Sequence, residues 1–318
     1  MHDFKTAPPQ PSSLQNIDIR LLRVFDAVVH SEGFSAAQIV LNSSQSTISE
    51  QMTTLENRLG IILCHRGRTG FRLTPQGAAV HKAAGGLLNA ADHFADEIRT
   101  LRSTENQLSG PFHLGLIDNT LSDPAAPVSH ALQKLTARAP ELTLSLFIGS
   151  PPELQLRVLQ GNLHMAIGVF PTRVHGLKYS PLYREEHALY CTQDHVLCRQ
   201  PRADEPEWRT QLHDAKIVVR RYMRDRELSL LRVRHAATSV ENIEAQAMLI
   251  LSGAYIGFLP LHYVESQPWG SQLHRLFPET ITLTSELSAI VPRHSNLPRV
   301  THSFFNDLRT VLQSMQRA

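Results

Sequence analysis

Helix signals between residues 18 and 60 come so densely that this stretch can hold little except three short, closely packed helices. Asp18 is a good N-cap, because its carboxylate can accept a free N–H of the first turn, and the helix it opens runs to about His30. Leu21, Phe25 and Val28 recur at steps of four and three and form its buried stripe, with Leu22 and Val29 alongside. Gly33 is placed to end it. Ser35 is placed to cap a second helix, Ala36 to Leu41, whose small residues let a neighbour approach closely. Asn42-Ser43-Ser44 is a polar turn, and Ser44 caps a third helix with Ile48, Met52, Leu55 and Leu59 on one face and Gly60 after it.

Ile61 to Leu63 and Phe71 to Thr74 then flank Arg66-Gly67-Arg68-Thr69-Gly70, which reads as a β-hairpin wing. Helix, tight turn, capped helix and wing make a winged helix-turn-helix, whose third helix presents its first turn to base edges in the major groove. Gln45, Ser46, Thr47, Ser49 and Glu50 stand on that turn. Glutamine can pair bidentately with adenine, and serine and threonine can bond bases or phosphates. The same cluster would also serve as ordinary capping, so the wing weighs in the decision. Residues 14–101 carry eight basic and eight acidic side chains, yet Arg66, Arg68 and Arg72 fall within seven residues, a local patch suited to phosphate.

Thr74-Pro75 is a strong helix start. From there Val80, Ala84, Leu87, Ala91, Phe94, Ile98 and Leu101 alternate steps of four and three, the signature of a coiled-coil dimerisation helix. Packing on its own chain is the alternative use of the same stripe. Gly85-Gly86 interrupts it at about 1 kcal/mol per glycine against alanine. Beyond a polar linker at 103–110 the pattern becomes alternating α and β. Strands are expected at 112–117, 142–148, 165–170, 216–220 and 255–259, and helices at 128–138, 152–160, 241–252 and 301–315. Apolar strands between helices predict a parallel sheet covered on both faces, here as two α/β lobes.

The stretch from Leu21 to Gly77 resembles the DNA-binding domain of the bacterial LysR-type transcriptional regulators. The resemblance rests on Gly33-Phe34-Ser35, Ser44-Gln45-Ser46-Thr47-Ile48-Ser49-x-Gln51, Leu55-Glu56-x-x-Leu59-Gly60-x-x-Leu63 and Leu73-Thr74-x-x-Gly77. It extends more weakly to Gly161-Asn162-Leu163-His164-Met165-Ala166-Ile167-Gly168 and to the segment Gly253 to Pro260. It implies that Gln45, Ser46, Thr47 and Ser49 contact the groove, Ser35 a phosphate, and Arg66, Arg68 and Arg72 the flanking backbone or minor groove. It also implies a two-lobed effector domain of the periplasmic-binding-protein type, with crossings near 189–192 and 286–290. Three positions depart from the family pattern: Glu50 replaces a basic residue, Cys64 a phenylalanine and His164 an aspartate. Glu50 should alter which sequence is read, since a carboxylate can accept from a cytosine amino group.

The expected organisation is a tail at 1–15, a winged helix-turn-helix at 16–74, a linker and dimerisation helix at 75–102, a hinge at 103–110 and an effector domain at 111–318. Lobe I would hold about 111–190 and 287–318, and lobe II about 191–286. Ligands in such sheets bind at the carboxyl ends of strands, which singles out Asn119, Thr120, Ser150, Phe170, Arg220, Ser239, Asn242 and Phe258. Arg220 at a strand end suits an acidic effector. The expected partners are double-stranded DNA with dyad-related half-sites, a small effector, and a second copy in a dimer or tetramer. His187, Cys191, His195 and Cys198 lie within twelve residues and offer metal or redox sensing as a competing reading, although no metal or cofactor is expected. No Gly-x-Ser-x-Gly, P-loop, His-Glu-x-x-His or Gly-x-Gly-x-x-Gly is present, so the chain does not read as an enzyme. No apolar run reaches the roughly 18 residues of a membrane span, and MHDFKTAPPQPSSLQN lacks a leader's apolar core, so the cytoplasm is the expected location.

Overall fold

A computed structural model describes residues 18–65, 70–102, 108–199, 212–293, 297–315 and 317. They fall into two compact units, Met1–Ala95 and Asp96–Ala318.

In the first unit α1 (Ile19–His30) begins where Asp18 accepts the Arg20 N–H at 2.9 Å. It packs with α2 (Phe34–Leu41) and α3 (Gln45–Leu59). Phe25, Val28, Ile48, Met52, Leu55 and Leu63 are buried at their centre, each contributing about 1.5–3 kcal/mol by leaving water. Three residues join α1 to α2, and this short link moves two caps from their expected places. Glu32 takes the left-handed position (φ +53°), while Gly33 (φ +155°) stands at the N-cap of α2. Ser35 therefore lies inside the first turn, exposed, and caps nothing. Ser44 does cap α3, accepting from the Thr47 N–H at 3.2 Å, and Gly60 closes it at φ +65°.

The wing strands β1 (Cys64–His65) and β2 (Arg72–Leu73) pair Cys64 with Leu73 and His65 with Arg72. Ile61 to Leu63 is not a strand, because its carbonyls are used elsewhere. The Thr74 hydroxyl donates to the Ile62 carbonyl at 2.7 Å and accepts the Gly77 N–H at 2.8 Å, tying the wing base to the start of α4 (Pro75–Arg102). A side chain at position 77 would put its Cβ 1.9 Å from the Leu63 carbonyl oxygen, so only glycine fits.

In the second unit the chain runs through β3 (Gly110–Leu116), α5 (Val128–Arg138), β4 (Leu142–Ile148), α6 (Pro151–Leu159), β5 (Met165–Val169) and β6 (Leu177–Thr192). It continues through α7 (Val196–Arg199), β7 (Val218–Arg220), α8 (Arg224–Leu231), β8 (Thr238–Val240), α9 (Ile243–Leu251), β9 (Gly257–Pro260) and α10 (Leu261–Ser266). Last come β10 (Leu273–Leu276), β11 (Thr282–Pro292) and α11 (Arg299–Met315). The main sheet has the order β10-β6-β11-β5-β3-β4, with β9 also on β6, and β7 and β8 form a small pair. The predicted parallel pairing is found for β4-β3-β5 and for β7-β8. The long strands β6 and β11 run antiparallel to each other, and β11 to β5, so the sheet is mixed.

These two strands position the second site, because each serves both halves of the sheet. β11 joins β5 from Leu287 to Ile290, and its register with β6 is irregular between Leu287 and Ser288. β6 is already paired with β9 at His187 and with β10 from Leu189, so its crossing comes before the expected 189–192. His164, where the family pattern has aspartate, is buried and its Nδ1 accepts the His113 N–H at 2.9 Å. An imidazole acceptor thus does what a carboxylate would do there.

Candidate functional site

On the first unit, the exposed first turn of α3 is built by its cap. The Ser44 hydroxyl is 2.8 Å from both Ser46 Oγ and Thr47 Oγ1, a small hydroxyl cluster at the helix N-terminus. Gln45, Ser46, Thr47 and Glu50 are exposed and Ser49 is half-buried. Ser35, Gln45, Ser46 and Ser49 line one open depression of about 680 Å³, together with Ser31 to Phe34, Ala36, and Gly70 and Phe71 from the wing. Arg72 is exposed on β2; Arg66 and Arg68 lie outside the described residues. Polar side chains from α2 and α3 thus share one concave face with Gly70 and Phe71 of the wing. Cys64 is a buried core residue whose N–H, with that of Leu63, points at the Glu56 carboxylate.

The helix α4 divides its predicted stripe between two uses. Ala84 is buried and Val80 packs beside it against the core of the first unit, joined by Leu88, which lies outside the heptad pattern. Both positions belong to an intrachain contact, a correction to their expected place in a seam. Leu87 and Phe94 remain 46% and 65% exposed, and Ala91 and Ile98 are half-buried. The side chain of Leu101 lies outside the described residues.

In the second unit, the carboxyl end of β3 meets the amino ends of α9 and α10. Asp118 Oδ2 accepts the Ile243 N–H at 2.7 Å, and burial, opposed by that bond and by Arg220, holds its carboxyl above the usual range. His262 on α10 lies 3.1 Å through Nδ1 from Ser122 Oγ and 2.7 Å through Nε2 from Glu185 Oε1 on β6. Burial would lower its pKa, but the Glu185 bond and charge and the nearby Asp123 raise it. Glu185 Oε2 lies 2.9 Å from His187 Nε2. Burial alone would lift the Glu185 carboxyl, yet the bonds from His187 and His262 bring it down to about 2. His187 is pushed down to about 4 by burial and then by Arg220.

Arg220 does not face an open cleft. It is 1% exposed, donates from Nε to Glu227 Oε1 at 2.9 Å, and lies 3.4 Å from His187 Nδ1. The expectation of an acidic effector, which rested on this arginine, loses its support. Phe170 and Phe258 are likewise buried core residues rather than surface contacts. Thr120 donates to the Ile117 carbonyl at 2.9 Å, and Asn242 caps α9 by accepting from Ala245 at 2.8 Å. Ser150 precedes α6 without a side-chain cap bond, and Ser239 is exposed on β8. Asn119 sits at φ +66°, accepts from the Ser122 hydroxyl, and keeps a buried Nδ2 without a hydrogen-bond partner among the described residues.

Asn119, Thr120, Arg220 and Asn242 therefore neighbour the site, but Asp118, Asp123, Glu185, His187 and His262 compose it. The period-two run Tyr183, Glu185, His187 on one strand was the available signal for two of these five, Glu185 and His187. Among the described residues, the groups close enough to share a cation are Asp123–Glu185–His262 and, on the first unit, Asp26–His30–His81. The quartet His187, Cys191, His195 and Cys198 is not such a group. His195 Nδ1 accepts the Leu197 N–H, and burial pushes the Cys191 thiol up to about 12, away from the reactive thiolate.

Comparison with known proteins matches residues 19–78 to the bacterial regulatory helix-turn-helix protein of the lysR family. Residues 105–313 match the LysR substrate binding domain. The HTH-type transcriptional activator BauR of Pseudomonas aeruginosa is 34% identical over 93% of this chain and 95% of its own. The HTH-type transcriptional regulator TfdS of Cupriavidus pinatubonensis is 27% identical over 95% and 98%. Full-length CbnR crystallised with its target DNA shares the fold at a TM-score of 0.64 and 19% identity, over 93% of this chain and all of that one.

Proposed function

This chain belongs to the LysR family of bacterial transcriptional regulators, which bind DNA and carry an effector-binding domain, and we propose that its operator specificity resides in the first turn of α3. The observation that carries this is the shared concave face of α2, α3 and the wing. Gln45 reads a base edge, Ser46, Thr47 and Ser49 bond bases or adjoining phosphates, and Glu50 accepts from a cytosine amino group. Ser35 holds a phosphate, and Arg66, Arg68 and Arg72 hold the flanking backbone or minor groove. Two copies pair through the free part of the α4 stripe, Leu87, Ala91, Phe94 and Ile98, and dimers join into tetramers through the effector domains. A small effector binds between the halves of the second unit, near Asn119, Thr120, Arg220 and Asn242. No described helix is long and apolar enough to cross a membrane; the regulator works in the cytoplasm and catalyses nothing. Footprinting on the DNA upstream of its own gene should reveal two dyad-related half-sites that survive an excess of random DNA. Protection that random DNA removes completely would reject sequence-specific reading.

A further inference from the structure

The polar site of the second unit carries a charge imbalance that says what it binds. Asp118 and Asp123 follow β3, Glu185 lies on β6, Arg220 ends β7, and His262 stands in the first turn of α10. The Arg220–Glu227 pair, at 2.9 Å and almost wholly buried, cancels internally. His187 is neutral at pH 7. Three carboxylates then remain against one imidazole, His262. Even with that imidazole charged, two negative charges are in excess, where Asp123 is 8% and Glu185 7% exposed. Buried charge without a counter-charge is strongly unfavourable.

The site also holds an unused hydrogen-bonding group. Ser285 is wholly buried and sits directly opposite Glu185 in the β6–β11 ladder, so both side chains leave the same face. Its Oγ has no partner among the described residues. The N-terminus of α9, where an anion would ordinarily dock, is already filled by Asp118. A divalent metal fits less well than an organic cation, because both nitrogens of His262 are engaged by Ser122 and Glu185.

We propose that this cluster receives the protonated amine of a small effector, with Asp118, Asp123 and Glu185 as charge partners and Ser285 as a further acceptor. The inference rests on the reading of this region as the effector site. The full chain can be equilibrated with an equimolar pool of short aliphatic amines, amino acids, alcohols, and mono- and dicarboxylates. Compounds that the protein retains are then identified by mass spectrometry, with zinc and manganese tested separately. Retained compounds should carry an amine, and Asp118→Asn or Asp123→Asn should lower their retention about tenfold. Ser285→Ala removes only an unpaired hydroxyl and should lower it severalfold, which keeps the test open if the carboxylate variants melt early. Retention only of compounds without an amine, weakened by the same variants, would overturn the charge assignment and leave the effector site standing. Amines retained equally by all three variants would overturn the site itself. Retention of metal alone, or of nothing, would overturn the amine proposal.

Discussion

In the proposed reading Gln45 is the side chain on which base reading rests most heavily, since it is exposed on the first turn of α3 and can pair bidentately with adenine. Gln45→Ala should weaken cognate binding by about 1–3 kcal/mol and leave binding to random DNA nearly unchanged. Arg72→Ala should weaken both alike and reduce the salt slope by about one, as expected of a phosphate contact. Equal losses on cognate and random DNA for Gln45→Ala, seen in competition binding, would contradict its role. His187 gives a second test at this scale. Its folded pKa, near 4, lies below the unfolded 6.5, so between these values the unfolded chain binds more protons and acid favours unfolding. Stability from the neutral ring is complete above pH 6.5 and is lost as pH falls toward 4. Arg220, Glu185 and His262 face the ring. Thermal melting of His187→Asn should drop less from pH 7 to pH 5 than that of the parent; equal drops would refute the assignment. Caps such as Asp18 and Ser44 were legible in the sequence because their partners lie two or three residues away. Arg220 was misread because its environment is assembled from Glu227 and, 33 residues earlier, His187.

At the scale of elements, periodicity located the helices of the first unit and β3, β4, β5, β7 and β9, but it missed the long strands β6 and β11 and could not say which surface each stripe meets. The heptad of α4 shows why. Val80 and Ala84 fit the repeat as well as Leu87 and Phe94 do, yet the fold of residues 18–65 offers a core that takes the first two. What is left is Leu87 and Phe94, exposed, with Ala91 and Ile98 half-buried, an apolar face that a partner can cover. Leu87→Glu with Phe94→Glu should split the dimer, because two charges would enter the seam. Light scattering that finds the same oligomer in this double variant would reject pairing through α4. The wing base carries a separate constraint. Gly77→Ala should lower the melting temperature of the first unit, as the added Cβ collides with the Leu63 carbonyl; an unchanged melt would show that the α4 start can shift freely.

For the whole molecule, β6 and β11 are the parts through which a ligand can act, since each strand serves both halves of the sheet and small hinge changes there can move them. A ligand shifts that equilibrium only by its differential affinity, worth about 1–3 kcal/mol of coupling. On the proposed mechanism, such a change would alter the spacing of paired heads rather than the chemistry of base reading. An amine recovered from the retention experiment should therefore change the length of protected DNA more than the affinity for one half-site. The two-unit plan was legible in the sequence because its motifs are local. The charge of the proposed ligand site was not, because Asp118, Glu185 and His262 meet only after β6 has crossed the sheet. The claim beneath all of this is that α3 selects DNA by sequence. Selection from a random duplex pool by the full chain and by Gln45→Ala tests it most directly. The account predicts that the parent enriches a dyad-symmetric site and that the variant relaxes one position in each half-site while keeping the rest. Enrichment of identical sequences by both, or of none by the parent, would contradict it.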